Sequence, residues 1–249
     1  FDERSHIEVG QNRVPFGADP YGISRSWFYD QHFYVGLSDD PDLGIKYTRH
    51  GADWSWNLAW YWRSEPNTAG RSEDSSRYGY DAVRWRETVD SDGQVNFDAR
   101  RSGYREKNQA NVRLIRHLEG EHWQSDVGLS LQYGELDGSR LDDGDHWAAS
   151  VHAVNTRDDL TVGVQVSRYS MDIDPNNPWG TDELIPLGAF DFAWPVASRA
   201  WVPSVSVSYR IDTPELYWLD YVVPYVEYSS IVKSASDQSD SELAVMGAA

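Results

Sequence analysis

Apolar and polar residues alternate along several stretches of this chain, and the alternation limits the folds that it can adopt. In residues 54–63, one set of alternate positions is apolar (Trp54, Trp56, Leu58, Trp60 and Trp62) and the other is mostly polar (Ser55, Asn57, Ala59, Tyr61 and Arg63). Because successive side chains of a β-strand point to opposite faces, this stretch predicts a strand with one apolar and one polar face. The same pattern recurs in residues 123–133, 160–167 and 203–211.

This alternation predicts ten strands. They span residues 5–14, 43–49, 54–63, 108–117, 123–136, 146–156, 160–171, 200–211, 219–231 and 242–249. Short links at 50–53, 118–122, 156–159 and 212–218 alternate with longer links at 15–42, 64–107, 137–145, 172–199 and 232–241. Outer-membrane β-barrels have short turns at one end and long loops at the other, so the spacing favours a barrel over a Greek-key sandwich.

Composition excludes several classes of protein. The 249 residues carry 22 Lys and Arg against 40 Asp and Glu, a net charge of −18, and the longer links hold most of the excess acid. Nucleic-acid binding needs clustered cations, so we expect no nucleic-acid partner. The sequence has no cysteine, which excludes disulfides and thiolate metal sites. The 12 Trp and 15 Tyr against 7 Phe favour the amphipathic rings that membrane barrels place at their interfaces.

Six short segments, in order along nearly the whole chain, are similar to a known family. They are 9–17 (VGQNRVPFG), 34–40 (YVGLSDD), 44–47 (GIKY), 108–114 (NQANVRL), 132–136 (QYGEL) and 224–229 (PYVEYS). Together they resemble the phosphate/polyphosphate-selective porin family (porin O/P-like) of Gram-negative outer membranes. The resemblance implies a homotrimer of barrels with about 16 strands each, a signal peptide, and a final strand that ends in an aromatic residue. Since neither end is present here, it implies a porin truncated at both ends.

The polar strand face is the candidate pore lining. Its charged residues are Lys46, Arg63, Arg113, Arg210, Asp126 and Glu227. Charges in a narrow lumen act over distances at which screening is incomplete, so these residues are candidates for ion selectivity. The alternative is that they only keep a water-filled channel wet. Arg84 and Arg86 form another basic pair if the link 64–107 folds into the pore, but the pattern does not tell which link folds inward.

The aromatic residues of the apolar face are candidates for a lipid-facing girdle. They are Trp54, Trp56, Trp60, Trp62, Trp123 and Tyr133. The same indoles also fit the sugar-stacking platform of a soluble, Trp-rich carbohydrate-binding β-sandwich. The two hypotheses differ at the apolar faces of residues 127–131 and 160–166. A barrel turns these faces to lipid, whereas a sandwich covers them with a second sheet.

Metal and catalytic sites have weaker support. Oxygen ligands that suit calcium occur close together at Asp172, Asp174, Asn176 and Asp182. These residues do not follow the EF-hand pattern, and a solvated acidic loop is the competing interpretation, so no metal site is assigned. The nucleophile-elbow motif Gly-x-Ser-x-Gly does not occur. His146 and His152 lie on one strand face but about 20 Å apart. We therefore expect neither enzymatic activity nor a cofactor, and an outer-membrane hydrolase is kept only as an alternative.

The sequence thus predicts one domain, residues 1–249, that is part of an antiparallel transmembrane β-barrel. About ten strands lie in this chain, and the resemblance implies about 16 in the whole porin. We expect the protein to lie in the outer membrane of a Gram-negative bacterium, in contact with lipid and lipopolysaccharide. It would pass small hydrophilic solutes by diffusion, and the resemblance adds anions such as phosphate.

Overall fold

The computed structural model describes residues 4–18, 22–26, 30–66, 77–84, 87–89, 91–93, 95–97, 103–177, 179–190, 192–215 and 217–249. Within these residues the fold is nearly all-β, with 17 strands and a single 3-10 turn, Phe33–Val35. None of the helical segments described is long and apolar enough to cross a membrane. The strands are β1 (Ser5–Arg13), β2 (Pro41–His50), β3 (Trp54–Arg63), β4 (Asp81–Ala82), β5 (Glu87–Val89), β6 (Val95–Phe97), β7 (Gly103–Gly120), β8 (Trp123–Ser139), β9 (Gly144–Arg157), β10 (Leu160–Asp172), β11 (Leu184–Ala189), β12 (Phe192–Ala197), β13 (Arg199–Tyr209), β14 (Ile211–Asp212), β15 (Tyr221–Val222), β16 (Pro224–Lys233) and β17 (Ser241–Ala248).

Ten of these strands form one antiparallel sheet. Their order is β1-β2-β3-β7-β8-β9-β10-β13-β16-β17, so each strand pairs with the next sheet strand along the chain. The predicted all-β class and all ten predicted strands are confirmed. In the described part of the chain, β1 and β17 lie at the two edges of this sheet, which is not closed on itself. The seven additional strands are short and lie in the links.

Three links differ from the prediction. The link expected at 64–107 is five residues shorter, because β7 begins at Gly103. The link expected at 137–145 shrinks to residues 140–143, because β8 and β9 continue their ladders with their neighbours beyond the apolar stretch. At these ends of β8 and β9, both faces of the strand carry polar residues or glycine, so the sequence shows no apolar–polar alternation. The backbone pairing continues nevertheless. The link expected at 212–218 is longer, since β14 and β15 form a small ladder of their own between β13 and β16. The short links at 51–53, 121–122 and 158–159 lie at one end of the sheet.

The two faces of the ten-stranded sheet have opposite surroundings. On the covered face, side chains such as Ser130, Gln132, Gln165 and Ser167 are buried beneath other parts of the chain. On the open face, apolar side chains are between about one third and four fifths exposed; examples are Leu58, Val112, Leu129, Leu131, Val151, Val164, Val205 and Met246. In the middle of the strands, polar residues are thus buried and apolar residues are exposed, which reverses the usual arrangement of a protein in water.

The apolar core lies on the covered face, at the end opposite the short links. A three-stranded sheet of β4, β11 and β12, here called the lid sheet, packs at this end. Buried side chains of the lid sheet and of seven strands of the ten-stranded sheet form one cluster with four residues of the link between β1 and β2. The cluster includes Val14, Phe16, Val35, Leu37, Tyr61, Tyr104, Leu136, Ala148, Tyr169, Ile185, Leu187, Val202 and Ile231. The hydroxyl of Tyr169 donates to the carbonyl of Ala197, at the end of β12, at 2.8 Å. The lid sheet is therefore fixed to the wall of the ten-stranded sheet.

Candidate functional site

The link between β1 and β2 folds back onto the covered face. Its described parts are residues 14–18, 22–26 and 30–40, and it is called the inward connection below. Backbone amides of the connection donate to polar side chains of the wall: Gly17 to Ser130 Oγ (3.0 Å), Ala18 to Gln165 Oε1 (2.9 Å) and Gln31 to Ser229 Oγ (3.0 Å). The polar face that alternation predicts thus satisfies backbone groups that would otherwise be buried without partners.

A buried histidine fastens the middle of the inward connection. His32 is fully buried, its Nδ1 lies 3.2 Å from Asp30 Oδ1, and its Nε2 lies 2.8 Å from Ser167 Oγ on β10. Ser167 in turn donates to Ser150 Oγ on β9 at 2.9 Å. The connection is therefore tied to the wall by a chain of hydrogen bonds. The sequence did not single out His32, because its partner on the wall, Ser167, is 135 residues away along the chain.

Gly17 lies where the inward connection first meets the wall, and we expect its substitution to loosen this contact. Its φ is +62°, and an added Cβ would lie 2.5 Å from Gln165 Nε2. In the variant Gly17→Ala, the backbone conformation alone costs about 1–2 kcal/mol. Displacing Gln165 also weakens the hydrogen bond from Ala18. Hydrogen exchange should therefore become faster at the Ala18 and Gln31 amides.

Gly180 provides the matched control for this prediction. Its φ of +65° is nearly that of Gly17, but an added Cβ would meet nothing within 4 Å. Gly180→Ala should leave exchange at Ala18 unchanged. Unchanged exchange in Gly17→Ala as well would mean that the contact between the connection and the wall does not hold the connection in place.

Two predicted pore-lining cations are buried on the covered face. The Lys46 ammonium lies 2.9 Å from Glu8 Oε2 and donates to the carbonyl of Arg13 at 2.9 Å. Arg113 donates through Nε to Asn57 Oδ1 at 2.9 Å and through Nη1 to the carbonyl of Gly17 at 3.4 Å. Both residues lie on the predicted polar face. Arg113 therefore holds the inward connection through Gly17, whereas Lys46 holds strand β1.

The other two predicted cations lie elsewhere. The prediction that Arg63 is on the polar face is wrong, because Trp62 is the extra residue of a β-bulge. Gly44 pairs with Tyr61 but Leu43 pairs with Arg63, so Arg63 shares the open face with Leu43. Arg210 follows the end of β13 in the short link. It donates to Asp212 Oδ1 at 2.8 Å and lies 3.9 Å from the ring centroid of Tyr221.

A cavity of about 270 Å³ between the inward connection and the wall brings charged groups together. It is lined by Arg25 of the connection and by Asp126, His152 and Ser206 of the wall. The Glu227 carboxylate positions Arg25, since it accepts hydrogen bonds from Ser24 Oγ at 2.9 Å and from the Arg25 amide. The Arg25 side chain is exposed. Sequence reasoning placed Asp126 and Glu227 on the polar face correctly but missed Arg25, which lies outside every strand.

Aromatic residues of the open face lie near both ends of the strands. Trp54 and Trp123 begin β3 and β8 beside short links, whereas Trp60, Tyr133 and Trp147 lie toward the opposite end. Trp123 and Tyr133 are ten residues apart on β8. A rise of about 3.3 Å per residue and a tilt of about 40° place them about 25 Å apart along the normal to a membrane. This matches the height of the apolar band of outer-membrane barrels.

The other predicted girdle residues also lie on the open face. Trp56 is half-buried against Tyr47, with ring centroids 5.0 Å apart, and Trp62 is half-buried 5.7 Å from Trp60. Arginines accompany the rings: the Arg116 guanidinium lies 5.1 Å from the centroid of Trp54, and that of Arg168 lies 5.6 Å from Trp201. Paired guanidinium and indole groups suit a boundary between water and an apolar phase.

The predicted calcium candidates do not converge on one point. Asp174 accepts hydrogen bonds from the backbone amides of Asn176 and Asp142, which lower the pKa of its exposed carboxyl group. The Asp182 carboxylate binds Arg199 Nη2 at 2.8 Å, and Asp172 lies 4.0 Å from the same nitrogen. These acids therefore shape their link and pair with an arginine. Arg84 forms an isolated bridge with Gly103, and Arg86 lies outside the described residues.

A different group of acids is buried at the lid end of the covered face. It comprises Asp40, Asp42, Glu65, Asp81 and Glu106 and is called the acidic junction below. Burial raises the pKa of the Asp81 carboxyl group to about 7 against the opposing charge of Arg77. Burial also raises the pKa of Glu65 to about 7, and that of Asp40 well above its usual value with the help of the neighbouring carboxylates.

Comparisons with known proteins provide little beyond this geometry. No protein-family profile matches the sequence, and no curated protein matches it. Among solved structures, a BenF-like porin from Pseudomonas fluorescens Pf-5 is similar over 99% of this chain and 70% of its own, with 12% sequence identity and a TM-score of 0.32. The all-β fold described above is defined by the strand pairing of this chain itself. The similarity to the phosphate/polyphosphate-selective porins remains one of short segments.

Proposed function

We propose that this chain is part of an outer-membrane porin through which small hydrophilic solutes diffuse passively. The observation that carries the proposal is the reversed polarity of the ten-stranded sheet. Its open face exposes a band of Leu and Val side chains bounded by aromatic residues, whereas its covered face is lined with Ser, Gln, Asn and charged residues. A strand wall with lipid on one side and water on the other requires this arrangement.

The soluble carbohydrate-binding sandwich accounts less well for the same sheet. A sandwich buries the apolar faces of two sheets against each other. Among the described residues, the lid sheet and the inward connection both lie on the polar face, and Leu129, Leu131 and Val164 on the other face are more than 40% exposed. The indoles belong to this uncovered apolar surface, so lipid is the partner that fits them.

Ion selectivity, oligomeric state and cellular location are proposed mainly from the sequence. A preference for anions such as phosphate is supported by the exposed Arg25 at the cavity, since Lys46 and Arg113 are engaged by other groups of the chain. The acidic links oppose it and share divalent cations with lipopolysaccharide phosphates. Assembly as a homotrimer in the outer membrane of a Gram-negative bacterium follows from the family resemblance alone. Diffusion through such a pore needs no catalytic group and no cofactor.

Planar-bilayer conductance of the purified protein, with the reversal potential measured across a salt gradient, tests this proposal. We expect stepwise conductance increments. A reversal potential on the anion side would support phosphate-type selectivity, and one on the cation side would mean that the acidic links dominate a general porin. Folded protein that gives no conductance, or that stays monodisperse without detergent, would contradict the porin. Sugar binding by such a preparation would favour the soluble module.

A further inference from the structure

The acidic junction connects three separate parts of the chain. Asp40 ends the inward connection, Asp42 lies at the start of β2, and Asp81 belongs to β4 of the lid sheet. The three residues are at most 4% exposed. Arg77 Nη1 lies 3.3 Å from Asp81 Oδ2, so one guanidinium faces several carboxylates in the described surroundings. Buried charges of one sign repel strongly unless a counterion or protons balance them.

The positions of the oxygens point to a counterion at the centre. One carboxylate oxygen each of Asp40, Asp42 and Asp81 lie within 4.8 Å of one another. A cation centred among three oxygens at this spacing would be at most about 2.8 Å from each, which admits the 2.3–2.6 Å of calcium–oxygen bonds. The buried position favours calcium over magnesium, because magnesium gives up its water ligands reluctantly. Each of the three residues also has a buried Oδ1 atom without a hydrogen-bond partner.

The remaining groups of the junction are already engaged and surround this centre. Glu65 accepts hydrogen bonds from Gln11 Nε2 and from the backbone amide of Gly79. Glu106 Oε1 accepts from the amide of Ala82 at 2.8 Å. These two glutamates fix the backbone on both sides of Asp81. Unsatisfied buried oxygens cost free energy, and each of the three clustered aspartates has one.

We propose that Asp40, Asp42 and Asp81 bind a calcium ion that fastens the inward connection to the wall and to the lid sheet. Calcium takes six to eight oxygen ligands, so water or further carboxylate oxygens of the junction complete the shell. The ion balances the charge of three buried carboxylates and joins segments that are far apart in sequence. Without it, the repulsion among these groups loosens the end of the inward connection. The binding site itself does not depend on the proposed channel.

Calorimetric titration of the chelator-treated full chain with calcium chloride tests the site. We expect saturable binding of one ion, weaker binding of magnesium, and loss of the calcium signal in Asp40→Asn and Asp81→Asn, which keep the size of each side chain. Asp174→Asn is the matched control, since it removes one carboxylate from the exposed link, and its titration should equal that of the parent. Folding of each variant is checked by far-UV circular dichroism.

A second measurement needs no variant. Hydrogen exchange of the unmodified protein should be slower at residues 37–42 and 79–82 in calcium than in chelator, with no change at residues 140–145. Folded protein that binds no calcium would overturn the proposal and leave protons as the balancing charge. Binding lost in Asp174→Asn but kept in Asp40→Asn would also overturn it, because the ion would then lie on the surface link.

Discussion

Replacing Leu129 by arginine should destabilise the protein by about 2–4 kcal/mol in a lipid bilayer, because it places a charge at the centre of the apolar band. Leu129 lies on the open face of β8, near the midpoint between Trp123 and Tyr133, and its cross-strand neighbours are Leu114 and Val151. Its side chain is 45% exposed, so in water the same change would cost almost nothing. Unfolding by denaturant in lipid vesicles, followed by tryptophan fluorescence, measures the difference.

Leu160→Arg is the control for this prediction. Leu160 is on the same face but begins β10 at the short-link end, where it pairs with Arg157 and Tyr209. Arginine near a membrane interface costs about 0–1 kcal/mol, so this variant should be nearly as stable as the parent. Two variants of equal and unchanged stability would place the open face in water and would contradict a transmembrane sheet.

Local patterns were sufficient to predict most of the sheet. Period-two alternation depends only on neighbouring residues, and it located the ten strands and the faces of Lys46, Arg113, Asp126 and Glu227. It failed at Arg63, because a single bulged residue, Trp62, exchanges the faces of everything that follows it in the strand. Such a bulge becomes visible only when the partner strand β2 is known.

The candidate site could be predicted less well, because long-range contacts build it. The segments 9–17 and 34–40 stood out in the sequence, but nothing in them predicts that Gly17 meets Ser130 or that His32 meets Ser167. The acidic junction likewise brings Asp42 together with Asp81, which is far along the chain. The calcium candidates chosen from the sequence were acids that are close together along the chain, such as Asp172 and Asp174, and not the residues of the acidic junction. The acids of the junction come together in space only because the lid sheet carries Asp81 to the inward connection. The strands of the lid sheet are too short to show the alternation by which strands are predicted from sequence.

The position of the inward connection changes which charges are expected to control selectivity. Lys46 and Arg113 are buried and bonded to other groups of the chain, whereas Arg25 is exposed on the connection and lines the cavity with Asp126. A unit charge about 7 Å from a permeating ion contributes about 0.6 kcal/mol in water, and screening by salt about halves this. Since Arg25→Glu stabilises a cation and destabilises an anion, it should change their permeability ratio by about 1.2 kcal/mol, or about sevenfold.

The reversal potential of Arg25→Glu should therefore shift toward cations by an amount that shrinks as salt concentration rises, because screening weakens the contribution. Arg140→Glu makes the same change in formal charge at an exposed position of the link between β8 and β9, away from the described cavity, and should shift the potential little. An equal shift in both variants would mean that the net charge of the mouth sets selectivity. If the reversal potential shifts in neither variant, the inward connection does not lie along the permeation path. Lys46 and Arg113 would then be the next residues to test.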